Sequence, residues 1–287
     1  MKVIPKINDL KSEISQLKAG KKEIGFVPTM GALHEGHISL LEKAKHENEV
    51  VVCSIFVNPA QFNDKNDLLN YPRAPEKDLQ MLEAAGTDFV FTPDANDIYP
   101  LNEPEEIFDF GNLDKVMEGA HRPGHFAGVA RVVAKLFRIV APGKAYFGEK
   151  DFQQLVIIKK LAEKYFPEIK IIPCATVREK DGLAMSSRNM LLDNKTQIEA
   201  ALISQTLFQI KDLKNKMSAD ELKKFAEEKI NSSKFLRLEY FEIADENTLT
   251  PIETIDGKTK ARAFIAIKAG SIRLIDNVSL IPITGSH

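Results

Sequence analysis

The stretch Pro28-Thr-Met-Gly-Ala-Leu-His-Glu-Gly-His-Ile-Ser-Leu-Leu41 sets His34 and His37 around a Glu-Gly pair, where a short apolar run gives way to a helical pattern. If a helix begins near the first imidazole, the two rings lie three apart on one face. Gly31 and Gly36 let the backbone approach a ligand closely. The free amides and dipole of a helix start favour phosphate. Two imidazoles at such a place can donate to phosphate oxygens as a phosphorus–oxygen bond breaks. The plainer alternative is one capping and one exposed histidine with no shared role. Zinc fits poorly, because the metalloprotease pair is His-Glu-x-x-His and only two residues separate the histidines here. No third ligand stands nearby, so no protein-bound metal is expected.

Further segments carry polar groups at expected element ends. Asn58 and Gln61 follow a strand in "SIFVNPAQF", and the Gln61 amide can both donate and accept. Lys150 stands between Glu149 and Asp151 at a strand-to-helix turn in "FGEKDFQQL". Gln154 comes one helical turn later and is expected to share its face. In "MSSR", Met185–Arg188, two hydroxyls and a guanidinium suit charge-assisted bonds to phosphates. Standing alone, these segments read as a loop amide, a solvated charge run and an interdomain linker. His46 reads as exposed, and His121 and His125, on either side of Pro123, read as loop-packing residues. Cys53 and Cys174 lie in apolar runs and read as buried free thiols.

The elements that must position these groups alternate through the first 175 or so residues. "KEIGFV", "EVVVCSIFV", "TDFVFTP", "KAYFG" and "EIKIIPCATV" read as strands, the second as one buried on both faces of a parallel sheet. Helical patterns follow over His37–His46, Glu76–Ala85 (ending at Gly86), Val129–Val140 and "DFQQLVIIKKLAEKYF". "NPAQFNDKNDLLNYPR" and Gly119–Gly128, "GAHRPGHFAG", read as loops. On the helix that follows, Arg131 stands opposite the apolar face of Val129, Val132 and Val133. Strand–helix alternation implies a Rossmann-like, doubly wound parallel α/β sheet. Beyond "MSSRNMLL" the pattern changes. Thr196 with Glu199, and Ser218 with Glu221, match capping boxes at two helix starts. "EYFEIAD", "ARAFIAIKAG" and "SIRLIDNVSLI" read as antiparallel strands. The chain is thus expected to divide into residues 1–177 and a smaller α+β domain, 178–287, that closes over the ligand.

Lys and Arg total 39 against 41 acidic residues, so the balance gives no general pull toward nucleic acid or anionic membrane. "MKVIPKINDLKSEIS" lacks the apolar core of a signal peptide, and no run approaches the roughly 18 apolar residues of a membrane span. A cytoplasmic protein is expected.

"HEGH" resembles the HIGH signature of the nucleotidylyltransferase and class I aminoacyl-tRNA synthetase superfamily. With its flanks, "VPTMGALHEGHISLL" resembles the pantothenate synthetase (pantoate–β-alanine ligase) family. "SIFVNPAQF", "EGAHRPGHFAGV", "FGEKDFQQL" and "VREKDGLAMSSRN" match that family in order, and "RLIDN" extends the likeness into the C-terminal part. The resemblance implies ATP contacts from Met30, Gly31, Ala32, Leu33, His34, Glu35, Gly36 and His37. It implies others from Gly148, Glu149, Lys150 and Asp151, and from Val177, Met185, Ser186, Ser187 and Arg188. Asn58, Gln61 and Gln154 would contact pantoate or β-alanine, and Gln154 is preferred to Gln153. His37 would be the principal catalytic residue, with His34 and Lys150 stabilising phosphates. ATP would arrive with Mg2+ on its phosphates, and the enzyme would be a homodimer. Two departures from the family stand out: Arg131, where a small residue is usual, and "NDKNDLLNYPR", in place of a glycine- and acid-rich loop. The alternatives are another nucleotidylyltransferase of the superfamily and a non-catalytic nucleotide-binding protein.

Overall fold

A computed structural model describes residues 1–256 and 258–280. Packing divides the chain into two compact units, Met1–Glu149 with Gln153–Thr176, and Lys150–Phe152 with the chain from Val177 onward. The sequence division at 177/178 assigns the Lys150 turn to the first unit; in the structure it clusters with the second.

The first unit runs β1 (Lys2–Ile4), α1 (Ile7–Ala19), β2 (Ile24–Thr29), α2 (Glu35–Glu47), β3 (Val50–Ile55), α3 (Lys65–Asn70), α4 (Pro75–Ala84) and β4 (Phe89–Phe91). It continues with α5 (Ala95–Ile98), α6 (Glu118–His121), α7 (His125–Val140), β5 (Lys144–Gly148), α8 (Phe152–Tyr165) and β6 (Lys170–Cys174). All six strands are parallel, in the order β1-β4-β3-β2-β5-β6. Alternate residues of a strand face opposite sides. Val27 accordingly joins Leu40, Leu41 and Ala44 of α2 and Leu82 of α4 in one buried cluster. Its neighbour Phe26 meets Phe137 of α7 edge-on, ring centres 6.5 Å apart. Burial of Leu40 and Leu41 alone stabilises the seat of α2 by roughly 3–6 kcal/mol. Helices therefore cover both faces of the sheet, as the alternation of elements predicts.

The strand order reverses between β2 and β5, the place where open α/β sheets bind ligands. β2 pairs with β3 through Thr29, but with β5 only at Gly25 and Phe26. Pro28 has no N–H with which to extend a ladder. The ladder to β5 thus stops short of the carboxyl end of β2, where the His34 loop begins.

The second unit carries α9 (Asn194–Leu213), α10 (Ala219–Asn231) and the antiparallel sheet β7 (Leu236–Asp245), β8 (Ala261–Ala269) and β9 (Ile272–Ser279). Its core brings Ile203, Leu207 and Ile210 of α9 and Leu222 and Ile230 of α10 together with Phe241, Ile265 and Leu274. Ile281, the last residue of the expected third strand, lies outside the described residues. Among the described residues no helix is long and apolar enough to cross a membrane.

Several local readings change. β1 and α1 have no counterpart in the sequence reading: β1 is a three-residue edge strand beside Pro5 that leaves no periodic trace, whereas α1 buries Leu10 and Ile14 at helical spacing. The polar stretch after β3 contains a 3-10 turn, Pro59–Gln61, and α3. His125–Gly128 are not loop but the first turn of α7, entered through Gly124 at φ 82°. Gly128 is there for closeness: a Cβ would lie 2.1 Å from the Ala60 carbonyl oxygen. Ser218 and Glu221 form the expected capping box, whereas Asp193, not Thr196, caps α9. Cys53 and Cys174 are buried free thiols, and His46 is exposed.

Candidate active site

The loop between β2 and α2 is shaped by a residue that the sequence does not single out. Gly31 and Ala32 adopt φ 79° and 50°, a conformation that costs a residue with a side chain on the order of 1 kcal/mol or more. The Asp78 carboxylate, in the first turn of α4, accepts from Ala32 N–H at 2.9 Å and from Leu33 N–H at 2.7 Å. Asp78 is only 1% exposed, so both bonds act in a medium that strengthens them. Ala32 and Leu33, expected to contact ATP, are themselves buried, and their N–H groups belong to Asp78. They set the course of the loop rather than offering amides to a ligand.

His34 and His37 do act together. His34 is the N-cap of α2, and its Nδ1 accepts from Gly36 N–H at 3.1 Å. His37 Nδ1 in turn accepts from His34 N–H at 3.3 Å, and the ring centres lie 4.1 Å apart. Two imidazoles thus fill the reciprocal cap usually built from a hydroxyl and a carboxylate. A ring nitrogen that accepts cannot carry the proton, so both rings hold their proton on Nε2. The two rings are thus fixed in one tautomer at the N-terminus of a thirteen-residue helix.

Gln61 ends the 3-10 turn after β3. Its carbonyl oxygen receives His125 Nδ1 at 2.7 Å and Arg122 at 3.4 Å, its Oε1 accepts from Asn58 at 3.0 Å, and its Nε2 lies 3.2 Å from Met30 Sδ. Gln61, Asn58 and Met30 are therefore brought to one place. Gln153 and Gln154 part company: Gln153 is buried, accepting from Glu118 N–H and donating to the carbonyls of Leu113 and Val116. The Gln154 side chain is half-buried and makes no hydrogen bond among the described residues. Arg131, on α7, pairs with Glu105 at 2.6 Å instead of pointing freely to solvent, and its buried Nε has no partner among the described residues.

In the second unit, Lys150 sits in a 3-10 turn, Glu149–Asp151, that precedes α8. The helical spacing that would align Lys150 with Gln154 therefore does not apply. Lys150 Nζ lies 3.4 Å from Asp151 Oδ1, and its carbonyl accepts from Asn277 Nδ2 at 2.8 Å. Neighbouring Asp276 holds Arg178 by two bonds, at 2.6 and 3.0 Å, and is 1% exposed on its side chain. Arg178 bridges to Ala184, and Met185 N–H donates to the Val177 carbonyl, so this ion pair fixes the segment that leads to Ser186–Arg188. Ser186 caps the 3-10 turn Ser187–Leu191, its Oγ accepting from Arg188 N–H at 3.3 Å. The Asp-Asn pair of "RLIDN" thus anchors both the Lys150 turn and the approach to the Met-Ser-Ser-Arg segment.

A cleft of about 480 Å³ lies at the other end of the first sheet, lined by Lys18, Lys22, Lys144 and Lys170 among others. The carboxyl ends of α1 and α7 reach it, and their carbonyls oppose an anion there. It does not compete with the loop after β2 as a phosphate site.

A parallel sheet that opens beside its central strand onto a helix start with two paired imidazoles defines a nucleotide-handling protein of the HIGH-motif class. The pattern of the Pantoate-beta-alanine ligase family matches residues 2–279. Pantothenate synthetase of Bacteroides fragilis strain YCH46 is 49% identical over 278 residues, 97% of this chain and 98% of that protein. That of Flavobacterium psychrophilum is 44% identical over 281 residues, 98% of this chain and 100% of that protein. The crystal structure of pantothenate synthetase from Thermus thermophilus superposes with a TM-score of 0.91 at 38% identity, covering 98% of this chain and 100% of that one. Pantoate-beta-alanine ligase from Francisella tularensis, solved with β,γ ATP and β-alanine, gives 0.82 at 38% identity and 98% of both chains. The chain belongs to the pantoate–β-alanine ligase family.

Proposed function

We infer that this chain joins pantoate to β-alanine at the expense of ATP, through a pantoyl-adenylate. In the first step a carboxylate oxygen of pantoate bonds to the α-phosphorus, the bond to the bridging oxygen breaks, and pyrophosphate leaves. In the second, the β-alanine amine bonds to the acyl carbon, the bond to AMP breaks, and the amine gives up its surplus proton.

The observation that carries the site assignment is the shared cap of His34 and His37, which leaves both protons on Nε2. We assign His37 Nε2–H as the principal donor to the oxygens that gain charge at the α-phosphorus, with His34 and Lys150 on the remaining phosphates. A pre-aligned donor of this kind accounts for about a hundred- to a thousandfold in rate. Ser186, Ser187 and Arg188 hold the leaving pyrophosphate, and Gln61 and Gln154 hold pantoate. Both steps depend on placement and charge neutralisation, for which no covalent enzyme nucleophile is required. ATP enters as its magnesium complex. The ion travels on the nucleotide's phosphates as part of the substrate, the usual arrangement for a cation that keeps its waters and takes few protein ligands. The family resemblance also supports a homodimer working in the cytoplasm.

A turnover assay with each substrate omitted in turn tests the reading. AMP and an amide product should appear only when pantoate, β-alanine and ATP are all present. Nucleotide left on a phosphorylated product would assign the chain to another branch of the superfamily, and ATP binding without turnover would make it a nucleotide sensor.

A further inference from the structure

We propose that Tyr99 is a positioning residue for pantoate, acting through Asn58 on Gln61. The proposal rests on the reading that Gln61 contacts pantoate. Tyr99 follows α5, and its hydroxyl donates to Asn58 Oδ1 at 2.8 Å. The same oxygen accepts from Ala60 N–H at 3.2 Å. On the other side of the amide, Asn58 Nδ2 donates to the Gly128 carbonyl at 3.2 Å and to Gln61 Oε1 at 3.0 Å. Asn58 is 1% exposed. An amide with two donors at its oxygen and two acceptors at its nitrogen has one orientation, because a flip sets NH2 against both donors.

The consequence reaches Gln61. With Oε1 committed to Asn58, the part of the Gln61 amide left to a ligand is Nε2, whose protein neighbour is the Met30 sulfur, a weak acceptor. Gln61 is thereby fixed as a donor, the polarity that suits a carboxylate or hydroxyl oxygen. Were Asn58 to turn over, Gln61 would present an acceptor oxygen instead. Two other features keep the Tyr99 hydroxyl in place and protonated. Burial, foremost, pushes its pKa up to about 12. The segment after it is stitched to α7 by Lys135 with Glu103, Arg131 with Glu105, and Arg138 with Glu106. These pairs are partly exposed and individually weak; the Tyr99 hydroxyl adds its bond to those of Ala60 N–H and the Gly128 carbonyl in setting the amide's orientation. Arg131 thus has a role on this strap rather than in the pocket.

The test is pantoate affinity, measured by calorimetry in the presence of a non-hydrolysable β,γ ATP analogue, so that no turnover is needed. Tyr99→Phe should weaken pantoate by about threefold to tenfold while leaving affinity for the analogue unchanged and lowering the melting temperature by only a few degrees. Asn58→Asp keeps an acceptor for Tyr99 and removes the donor to Gln61, and should weaken pantoate at least as much. Both effects should vanish in a Gln61→Ala background, as the coupling of one relay requires. An unchanged affinity in Tyr99→Phe, or the same loss with and without Gln61, would overturn the relay while leaving Gln61 as a pantoate contact. Undiminished affinity in Gln61→Ala alone would overturn the Gln61 reading and the relay with it.

Discussion

Asp78→Asn is a near-isosteric change, and its effect can be worked from the loop it holds. The carboxylate accepts from Ala32 N–H at 2.9 Å and Leu33 N–H at 2.7 Å, at 1% exposure. An amide can satisfy only one of these donors; the other then faces an NH2 group. One hydrogen bond to a charged acceptor is lost, about 1.5–3 kcal/mol, and a buried donor is left unmet, about 1–3 kcal/mol. Together these come to about 2.5–6 kcal/mol, which lowers the melting temperature of a unit this size by about 5–24 °C. The catalytic effect should be separate and visible well below melting. Without the clamp, Ala32 has no reason to stay at φ 50°, and α2's N-terminus follows the loop. A displacement of about 1 Å at a reacting centre costs on the order of a hundredfold. The assays are thermal melting and pantoate-dependent exchange of labelled pyrophosphate into ATP at 25 °C. A variant that melts within 2 °C of wild type and exchanges within twofold of its rate would refute the role given to Asp78.

Gly128→Ala places a methyl group 2.1 Å from the Ala60 oxygen; it should destabilise the protein by about 1–3 kcal/mol and raise the KM for pantoate more than that for ATP. Asn277→Asp removes the donor to the Lys150 carbonyl and should cost about 1–3 kcal/mol, seen as weaker ATP binding in titration, with pantoate binding unchanged. Burial raises the thiol pKa of Cys53 to about 12 and that of Cys174 to about 11, against an ordinary value of 9.0. Between the ordinary and the raised value the unfolded chain has lost protons that the folded chain keeps. Stability should therefore be indifferent to these thiols below about pH 9 and fall above it, by up to about 1.4 kcal/mol per pH unit for each; melting curves from pH 8 to 10.5 should be shallower in Cys53→Ala.

What the sequence discloses divides by range. The His34 and His37 pair, the parallel sheet and the antiparallel second unit are written in local spacing and periodicity. Asp78 was not legible, since an acid in a helix's first turn ordinarily complements the dipole, and its partners lie 45 and 46 positions away. Tyr99 is 41 positions from Asn58, and Asn277 is 127 from Lys150, so nothing near either residue marks its role. Gly128 misled in the opposite direction. A glycine beside Gly124 and Pro123 reads as loop, yet it is a helical residue kept small by a carbonyl from a distant turn. For Gln154 the sequence offers helical spacing from Lys150, which the 3-10 turn annuls, and family resemblance; the buried bonds of Gln153 add a physical ground for the same preference.

The central claim is that the Nε2–H of His37 acts on the α-phosphate, and His37→Asn isolates it. Asparagine Oδ1 takes the place of Nδ1 and can still accept from His34 N–H, so the cap is kept while the Nε2 donor is removed. The variant should melt within about 2 °C of wild type, and its pantoate-dependent exchange of labelled pyrophosphate should fall by about a hundredfold or more. Exchange at a near-normal rate in a folded, ATP-binding His37→Asn protein would contradict the account.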